Sequence, residues 1–200
     1  MSARYKTVYL IRHGQNEISL KDPKLTSLGE SQARQIKFSF GEVDGIVTSP
    51  TRRTIETATI IGQTLDVPCQ VHDLVKERID YSDVPNSGYT RFKQFCAMSS
   101  KNRDYILPNG ESSYTSGLRL EYVMIRLTNV VDKGVIIVTH QGIISDYLRN
   151  KFSEDQLMEK LPLFVRLRED SLDNCSITRV DVRGHDHILQ YIGKKNTEIL

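Results

Sequence analysis

The chain has 200 residues, of which 38% are hydrophobic and 26% are charged, and its formal net charge at pH 7 is +2. Such a balanced charge argues against a general nucleic-acid-binding role. No apolar run approaches the roughly 20 residues of a membrane-spanning helix, so we expect neither nucleic acid nor membrane among the partners. The length suits one domain, which we predict over residues 1–193, followed by a tail over residues 194–200.

Cysteine usage indicates a reducing compartment. Cys69, Cys96 and Cys175 are odd in number and form no Cys-x-x-Cys pair, which is typical of reduced thiols. The first apolar run, residues 8–11, is too short for a signal peptide. We therefore expect a cytoplasmic protein. The sequence leaves the oligomeric state open, with a homodimer as one option.

The first part of the chain predicts a strand and then a helix. Residues 7–12 are apolar and rich in β-formers, which is typical of a buried strand. Thr26 or Ser27 can cap a helix that runs to about Phe38, and Glu30 stands where a capping box needs a carboxylate.

A second strand–helix unit follows. Residues 45–48 predict a short strand that ends at Ser49-Pro50. The next helix has apolar residues spaced close to a period of 3.6; they are Ile55, Ala58, Ile61 or Gly62, and Leu65. Residues 69–71 predict a third short strand.

The second half of the chain contains the clearest elements. Residues 111–131 predict a helix with one apolar stripe, formed by Leu120, Val123, Met124, Leu127 and Val131. Residues 134–139 form an uninterrupted apolar run, as expected of a strand buried on both faces of a parallel sheet, and residues 143–151 predict a helix that packs back on it. Residues 176–182 and 188–192 predict a terminal hairpin.

Strands that alternate with helices imply an α/β fold. We expect a three-layer sandwich whose mainly parallel central sheet is flanked by helices and closed by an antiparallel edge hairpin. Residues 78–109 have the least regular sequence, and we predict that this lid segment is inserted over the functional site.

Two histidines follow predicted strands. His13 comes after residues 7–12 and beside Arg12, and His140 comes after residues 134–139. The carboxyl ends of strands are where open α/β sheets place their ligand sites. A neutral imidazole nitrogen can attack phosphorus while an arginine binds the phosphate oxygens. The pair of strand ends therefore indicates phosphoryl chemistry, far more strongly than a lone Arg-His-Gly would.

Six segments, in order along the chain, resemble the histidine phosphatase superfamily, branch 1, also called the phosphoglycerate-mutase-like family. They are residues 12–15 (RHGQ), 25–33 (LTSLGESQA), 48–58 (TSPTRRTIETA), 74–78 (LVKER), 108–112 (PNGES) and 139–142 (THQG). The resemblance implies a phosphatase that needs no cofactor and forms a covalent phosphohistidine.

The resemblance also implies roles for single residues. His13 would be the nucleophile, and Arg12 and Arg53 would clamp the phosphoryl oxygens. Arg53, rather than Arg52, occupies the family's position and leaves Arg52 as a solvated helix residue. His140 would be a cationic second histidine that hydrogen-bonds the phosphoryl group.

Glu77 would be the acid that protonates the leaving oxygen and later activates water, although a glutamate in Lys-Glu-Arg also fits a surface position. Arg78 is a further candidate for phosphate binding because it directly follows Glu77. Glu111 and Ser112 match the family's Gly-Glu-Ser, where a helix cap and a contact with the pocket both remain open.

The rim of the pocket departs from the family. Gln15 is a candidate to hydrogen-bond phosphate there. Ser19 stands where many members carry asparagine, and its hydroxyl can replace only part of an amide's donor and acceptor capacity.

No metal is expected at the site, because arginines and a histidine supply the positive charge. The sequence His185-Asp186-His187 lies in a predicted turn without a third ligand at useful spacing.

The lid segment is mildly basic, which suits an anionic substrate, although scattered lysines and arginines are also typical of a solvated surface. Its charges are Arg78, Arg91, Lys93, Lys101 and Arg103 against Asp80, Asp83 and Asp104, with Tyr81, Tyr89 and Tyr105 as further polar groups.

We expect a phosphomonoesterase that acts on a small phosphorylated metabolite. Family mutases generally have a longer chain with a larger insert, and they retain the asparagine that Ser19 replaces. The alternatives are a phosphoglycerate-mutase-type phosphotransferase, a phosphoprotein phosphatase, and a non-catalytic module that binds a phosphorylated ligand.

Overall fold

The computed structural model describes residues 4–17, 22–38, 41–81, 84, 88–166 and 172–195. The strands are β1 (Lys6–Arg12), β2 (Gly45–Thr48), β3 (Cys69–Val71), β4 (Gly134–Thr139), β5 (Ile177–Arg183) and β6 (Asp186–Lys194). The helices are α1 (Ser27–Arg34), α2 (Arg52–Leu65), α3 (Gly88–Lys101), α4 (Ser113–Thr128), α5 (Gln141–Lys151), α6 (Glu154–Lys160) and α7 (Pro162–Arg166), and a 3₁₀ turn spans Asp73–Val75.

The strands form one mixed sheet in the order β3-β2-β4-β1-β5-β6. The β1–β4, β4–β2 and β2–β3 pairs are parallel, whereas β5 runs antiparallel to β1 and β6 antiparallel to β5. The predicted mainly parallel sheet with an antiparallel edge hairpin is therefore confirmed.

Helices cover both faces of this sheet. Successive residues of a strand point to opposite faces, and Leu10 accordingly packs with residues of α4 and α5 while Ile11 packs with residues of α1 and α2. Every residue of β4 is buried, as expected of a central parallel strand. The three-layer arrangement follows from this double burial.

Helix α1 is shorter than predicted. Thr26 is its N-cap and accepts a hydrogen bond from the Gly29 N–H over 3.0 Å. With the cap at Thr26, Glu30 lies one position beyond the one a capping box requires. The helix ends at Arg34 rather than at about Phe38.

The lid segment contains more regular structure than its sequence indicates. Residues 88–101 form α3, and a separate buried cluster of Ile79, Val84 and Leu107 has Phe92 and Phe95 packed against it. Helices α6 and α7 were also not predicted, since both are short and lack a repeated apolar period. In the part of the chain that the structure describes, no helix combines the length and the apolar character needed to cross a membrane.

Candidate active site

The sheet order brings the two predicted histidines together. Because β1 and β4 are parallel neighbours, with Arg12 opposite Thr139, the residues that follow them lie at the same edge. The His13 N–H donates to the Thr139 carbonyl over 3.0 Å, and the rings of His13 and His140 have centroids 5.3 Å apart. This edge holds the carboxyl ends of the parallel strands, where α/β sheets form their ligand sites.

The tautomer of His13 is fixed by its own backbone. Its Nδ1 lies 2.8 Å from the Gly14 carbonyl oxygen, which can only accept, so Nδ1 carries the hydrogen. Burial, together with the charges of Arg53 and Arg12, lowers the pKa of His13 to about 3. The ring is therefore neutral near pH 7, and Nε2 holds an available lone pair.

The hydrogen bonds of His140 also define a neutral ring. A guanidinium has no acceptor, so the Arg53 Nη2 donates to Nδ1 of His140 over 3.2 Å. The Nε2–H then donates to Ser49 Oγ over 2.8 Å. Burial and the neighbouring Arg53 hold the pKa of His140 well below its ordinary value. This arrangement favours a neutral His140 rather than the predicted cationic one, because burial and arginine charge both oppose protonation.

The two arginines of the predicted clamp have different surroundings. Arg53 is buried and donates from Nη2 to Asp80 Oδ2 over 2.8 Å as well as to His140. Arg12 donates from Nη1 to Gln141 Oε1 over 2.6 Å and to the Leu172 carbonyl.

The neighbouring Arg52 lies outside this group. Its side chain is more than half exposed and pairs with Glu56 over 2.7 Å, four residues further along α2. The structure therefore brings Arg53 to the histidines and leaves Arg52 on the surface, as the family resemblance implies.

The carboxylate of Glu77 is held by two backbone donors. Oε1 accepts from the Arg78 N–H and Oε2 from the Gly142 N–H at the start of α5, both over 2.9 Å. A Cβ on residue 142 would lie 2.5 Å from Oε1, so the contact depends on glycine.

The loop before Glu77 is also fixed. The Thr139 hydroxyl donates to the Val75 carbonyl, and Arg119 donates to the carbonyls of Leu74 and Lys76. These bonds tie the approach to Glu77 to β4 and α4.

A cleft of about 540 Å³ opens beside Glu77. It is lined by Asp22, Pro50, Thr51, Lys76, Glu77, Arg78, Asp80, Asn109, Gly110, Glu111 and Arg119. The two open roles at residues 111 and 112 are separate: Ser112 caps α4 with a capping box to Thr115, and Glu111 stands in the cleft wall, paired with Arg119.

Three further candidates of the phosphate site have different outcomes. Arg78 forms a buried ion pair with Asp146, which occupies its guanidinium, so its role as a phosphate ligand stays a prediction that this contact does not support. The Gln15 side chain accepts from the Thr26 hydroxyl over 2.8 Å at the start of α1. Ser19 lies outside the described residues, so its predicted role at the rim stays a prediction.

Three hydrogen bonds that the sequence did not predict hold the main chain around His13. Asn174 Nδ2 donates to the His13 carbonyl over 2.9 Å, and the Cys175 N–H donates to the Arg12 carbonyl over 3.0 Å. The Gly14 N–H donates to Thr57 Oγ1 over 3.0 Å. These partners lie 43 to 163 residues away in the chain, and no local pattern identifies them.

Within the described ranges, no three His, Cys, Asp or Glu side chains are grouped so as to hold a metal ion. His187 is instead a structural residue, because its Nε2–H donates to the Gly184 carbonyl and its Nδ1 accepts from the Tyr147 hydroxyl over 2.7 Å.

The model of the histidine phosphatase superfamily (branch 1) matches residues 8–194. The chain therefore belongs to this superfamily.

Its relatives carry the names of phosphatases. The human 6-phosphofructo-2-kinase/fructose-2,6-bisphosphatase 4 is 26% identical over 178 residues, which cover 82% of this chain and 37% of that enzyme. A mitochondrial serine/threonine-protein phosphatase Pgam5 of Caenorhabditis briggsae is 27% identical over 195 residues, covering 92% of this chain and 60% of that protein. The chain thus spans little more than a third of the length of the first of these relatives.

Solved structures share the fold. A mutant phosphoserine phosphatase from Entamoeba histolytica, in complex with phosphoserine, has a TM-score of 0.66 at 21% identity, covering 95% of this chain and 98% of that one. At this identity the likeness shows a shared fold.

Proposed function

We propose that this protein hydrolyses phosphomonoesters through a phosphoryl group carried covalently on Nε2 of His13. The single observation that carries the proposal is the state of that ring, which is neutral, donates from Nδ1 to the Gly14 carbonyl, and lies beside Arg53 and His140. A nucleophile needs an unprotonated lone pair, and this contact leaves it on Nε2.

The reaction then proceeds in two steps. In the first, Nε2 of His13 forms a bond to phosphorus, the bond from phosphorus to the leaving oxygen breaks, and protonated Glu77 gives that oxygen its proton. In the second, Glu77 takes a proton from water, the water oxygen bonds to phosphorus, and the N–P bond breaks to release inorganic phosphate. The Gly142 and Arg78 N–H groups hold the Glu77 carboxylate for both transfers.

Positive charge at the phosphoryl oxygens comes from the protein itself. Arg12 and Arg53 supply planar donor pairs that suit phosphate geometry. The network around Arg53, with Asp80 on one side and His140 on the other, sets the guanidinium direction before substrate binds, which favours stabilisation of the transition state. His140 acts on the same group through Arg53, whose guanidinium it holds at Nδ1.

A small phosphorylated metabolite is the substrate class that we propose. The cleft beside Glu77 has a volume of about 540 Å³, which lies within the range of small-molecule sites. Its wall contains Lys76, Asn109 and Arg119, which offer polar contacts beyond the phosphoryl centre. The names of the relatives refer to a sugar bisphosphate, to protein and to phosphoserine, so they do not choose among metabolites.

The test is phosphate release from an aryl phosphate and from a panel of phosphorylated metabolites, for the native protein and for His13→Ala. His185→Ala is the matched control, since the His185 side chain is 88% exposed. We expect release to vanish in His13→Ala and to persist in the control. Rapid quenching with labelled substrate should give an acid-labile protein phosphate in the native enzyme only.

Two results would contradict the proposal. Turnover by His13→Ala at the native rate would exclude the covalent step on that residue. Transfer of the phosphoryl group to a second hydroxyl, without release of inorganic phosphate, would identify a mutase instead.

A further inference from the structure

We propose that the buried ion pair of Arg78 and Asp146 positions Glu77. The pair fixes the distance between the two backbone N–H groups, of Arg78 and Gly142, that bind the Glu77 carboxylate. The inference rests on the role of Glu77 in the proposed function. It also gives Arg78 a part in catalysis that requires no contact with substrate.

The ion pair is enclosed and has two-point geometry. Arg78 Nη1 lies 2.9 Å from Oδ1 and 2.8 Å from Oδ2 of Asp146, and the two side chains are 7% and 3% exposed. Arg78 Nη2 donates to Ser100 Oγ over 3.0 Å and to the Cys96 carbonyl over 3.4 Å, both on α3. The Arg78 guanidinium is thus held by residues of both α5 and α3.

The contacts of Glu77 and of Arg78 form a closed ring. The Arg78 N–H donates to Oε1 of Glu77, and the Gly142 N–H donates to Oε2. Asp146 lies four residues after Gly142 in α5, about one helical turn or 6 Å along the axis. The Arg78 side chain therefore ties together the same two stretches of backbone that supply the donors to Glu77.

Asp146 is a fixed anchor for this ring. A Cβ on Gly117 of α4 would lie 2.6 Å from the Asp146 carbonyl oxygen, so the backbones of α4 and α5 are in direct contact there. Arg103 donates to the same carbonyl over 3.0 Å. Because α5 is held on these sides, loss of the ion pair would release the backbone at residue 78 rather than the helix.

Stability alone gives little reason for such a pair. Exchange of a buried ion pair for apolar side chains of similar size is often neutral or stabilising, because both charges lose their hydration on burial. A precise requirement on the backbone of residue 78 accounts for a charged pair at this position. Nη1 contacts both oxygens of Asp146 while Nη2 donates to Ser100 and to the Cys96 carbonyl, so the planar guanidinium is fixed in direction.

The test is the double variant Arg78→Met/Asp146→Leu, which removes both charges of the pair. Arg103, whose Nη1 lies 4.0 Å from Asp146 Oδ1, keeps its hydrogen bonds to the carbonyl of residue 146 and to Asn150. The measured quantity is the ratio of kcat/KM for an alkyl phosphate to kcat/KM for an aryl phosphate with a good leaving group. Only the alkyl leaving group needs the proton from Glu77, so misplacement of this acid lowers the ratio. We expect a decrease of about 10-fold, on the scale of the misplacement of a catalytic group by a fraction of an ångström.

A matched control and a milder variant accompany the double variant. Glu121→Gln/Lys151→Met removes another ion pair between α4 and α5, with a distance of 2.7 Å, at the end of α5 away from Gly142. This control should leave the ratio unchanged. Arg78→Lys keeps the charge and loses the fork, so a smaller decrease is expected, and it provides the readout if the double variant does not fold.

The outcomes separate this inference from the function on which it rests. Equal losses on both substrates in the double variant and in Arg78→Lys would overturn the positioning role. Glu77→Gln, measured alongside, should lower the ratio strongly. If Glu77→Gln lowers it and the ion-pair variants do not, only the positioning role fails; if Glu77→Gln leaves it unchanged, the acid role fails and the positioning role with it.

Discussion

Gly142 lies directly against Glu77: its N–H donates to Oε2 over 2.9 Å, and any Cβ on it would approach Oε1 to 2.5 Å. The obstacle is the flexible end of a side chain, so Gly142→Ala should displace the carboxylate and leave α5 in place. We expect kcat/KM for an alkyl phosphate to fall by about 10- to 100-fold. The melting temperature should be unchanged or slightly higher, because alanine is favoured over glycine within a helix by up to roughly 0.5–1 kcal/mol.

Steady-state kinetics and a melting curve on the same preparation check this prediction. A variant with native activity would show that the position of the carboxylate is unimportant for turnover. A variant that loses both activity and cooperative unfolding would show that residue 142 is needed for the fold itself.

The adjacent arginines of α2 provide a second comparison. Arg53 contacts both Asp80 and His140, whereas the Arg52 side chain is exposed and pairs with Glu56. Arg53→Lys replaces a planar fork by a single ammonium group, which cannot make the same set of bonds. We expect kcat/KM to fall by about 100-fold, equal to roughly 2.7 kcal/mol of transition-state stabilisation. Arg52→Lys should stay within about 2-fold of the native value, since exposed ion pairs contribute little, and equal effects at the two positions would contradict the assignment of the clamp.

Gly29 in α1 should not tolerate a side chain. Its Cβ position lies 2.0 Å from the backbone oxygen of Gln15, in the loop that follows His13. Because the obstacle is backbone, Gly29→Ala should destabilise the protein by about 1–3 kcal/mol and shift the loop of the nucleophile. Gly62→Ala in α2 is the control, since its nearest neighbour is the Val67 oxygen at 3.3 Å, and its effect should stay within about 1 kcal/mol. Urea unfolding of both variants measures the difference, and equal stabilities would refute the tight loop–helix contact.

Acid should destabilise the folded protein through its buried histidines. The pKa of His13 is about 3 in the folded chain, lowered by burial and by Arg53, against 6.5 for an exposed histidine. Between these values the unfolded chain binds more protons, so the free energy of unfolding decreases as the pH falls below 6.5. One such site contributes a slope of about 1.4 kcal/mol per pH unit.

The measurement is urea unfolding of the native protein and of His13→Gln at pH 7.5 and pH 4.5. The decrease in the free energy of unfolding between these pH values should be about 2–3 kcal/mol larger for the native protein. An identical pH dependence in the two proteins would mean that His13 is protonated in the folded state or exposed to solvent.

Local sequence patterns predicted most of the sheet. Residues 45–48, 69–71 and 134–139 have the same limits in the structure as in the prediction. Apolar runs bounded by turns define the buried strands β2 and β4, whereas β3 is exposed along its length. The lid segment was less predictable: residues of α3 pack against a cluster formed by Ile79, Val84 and Leu107, which lie outside that helix.

The site shows the same distinction between local and distant information. The positions of His13 and His140 follow from their strands, and the structure brings both to one edge with Arg53. The buried position of Arg78 depends on Asp146, which is 68 residues away. The sequence around Arg78 therefore does not identify its partner. The neutral state of His140 likewise depends on Arg53 and Ser49, which come from another strand–helix unit.

The place of β1 in the sheet has a consequence for synthesis of the protein. Its two neighbours are β4 and β5, which begin at Gly134 and Ile177. On the ribosome, therefore, the apolar strand that ends beside His13 keeps both edges unpaired until more than a hundred further residues have been made. Unpaired strand edges with apolar side chains associate readily with other chains. A nascent chain that stops short of Gly134 therefore exposes both edges of β1, and His13 and His140 come together only after β4 has been made.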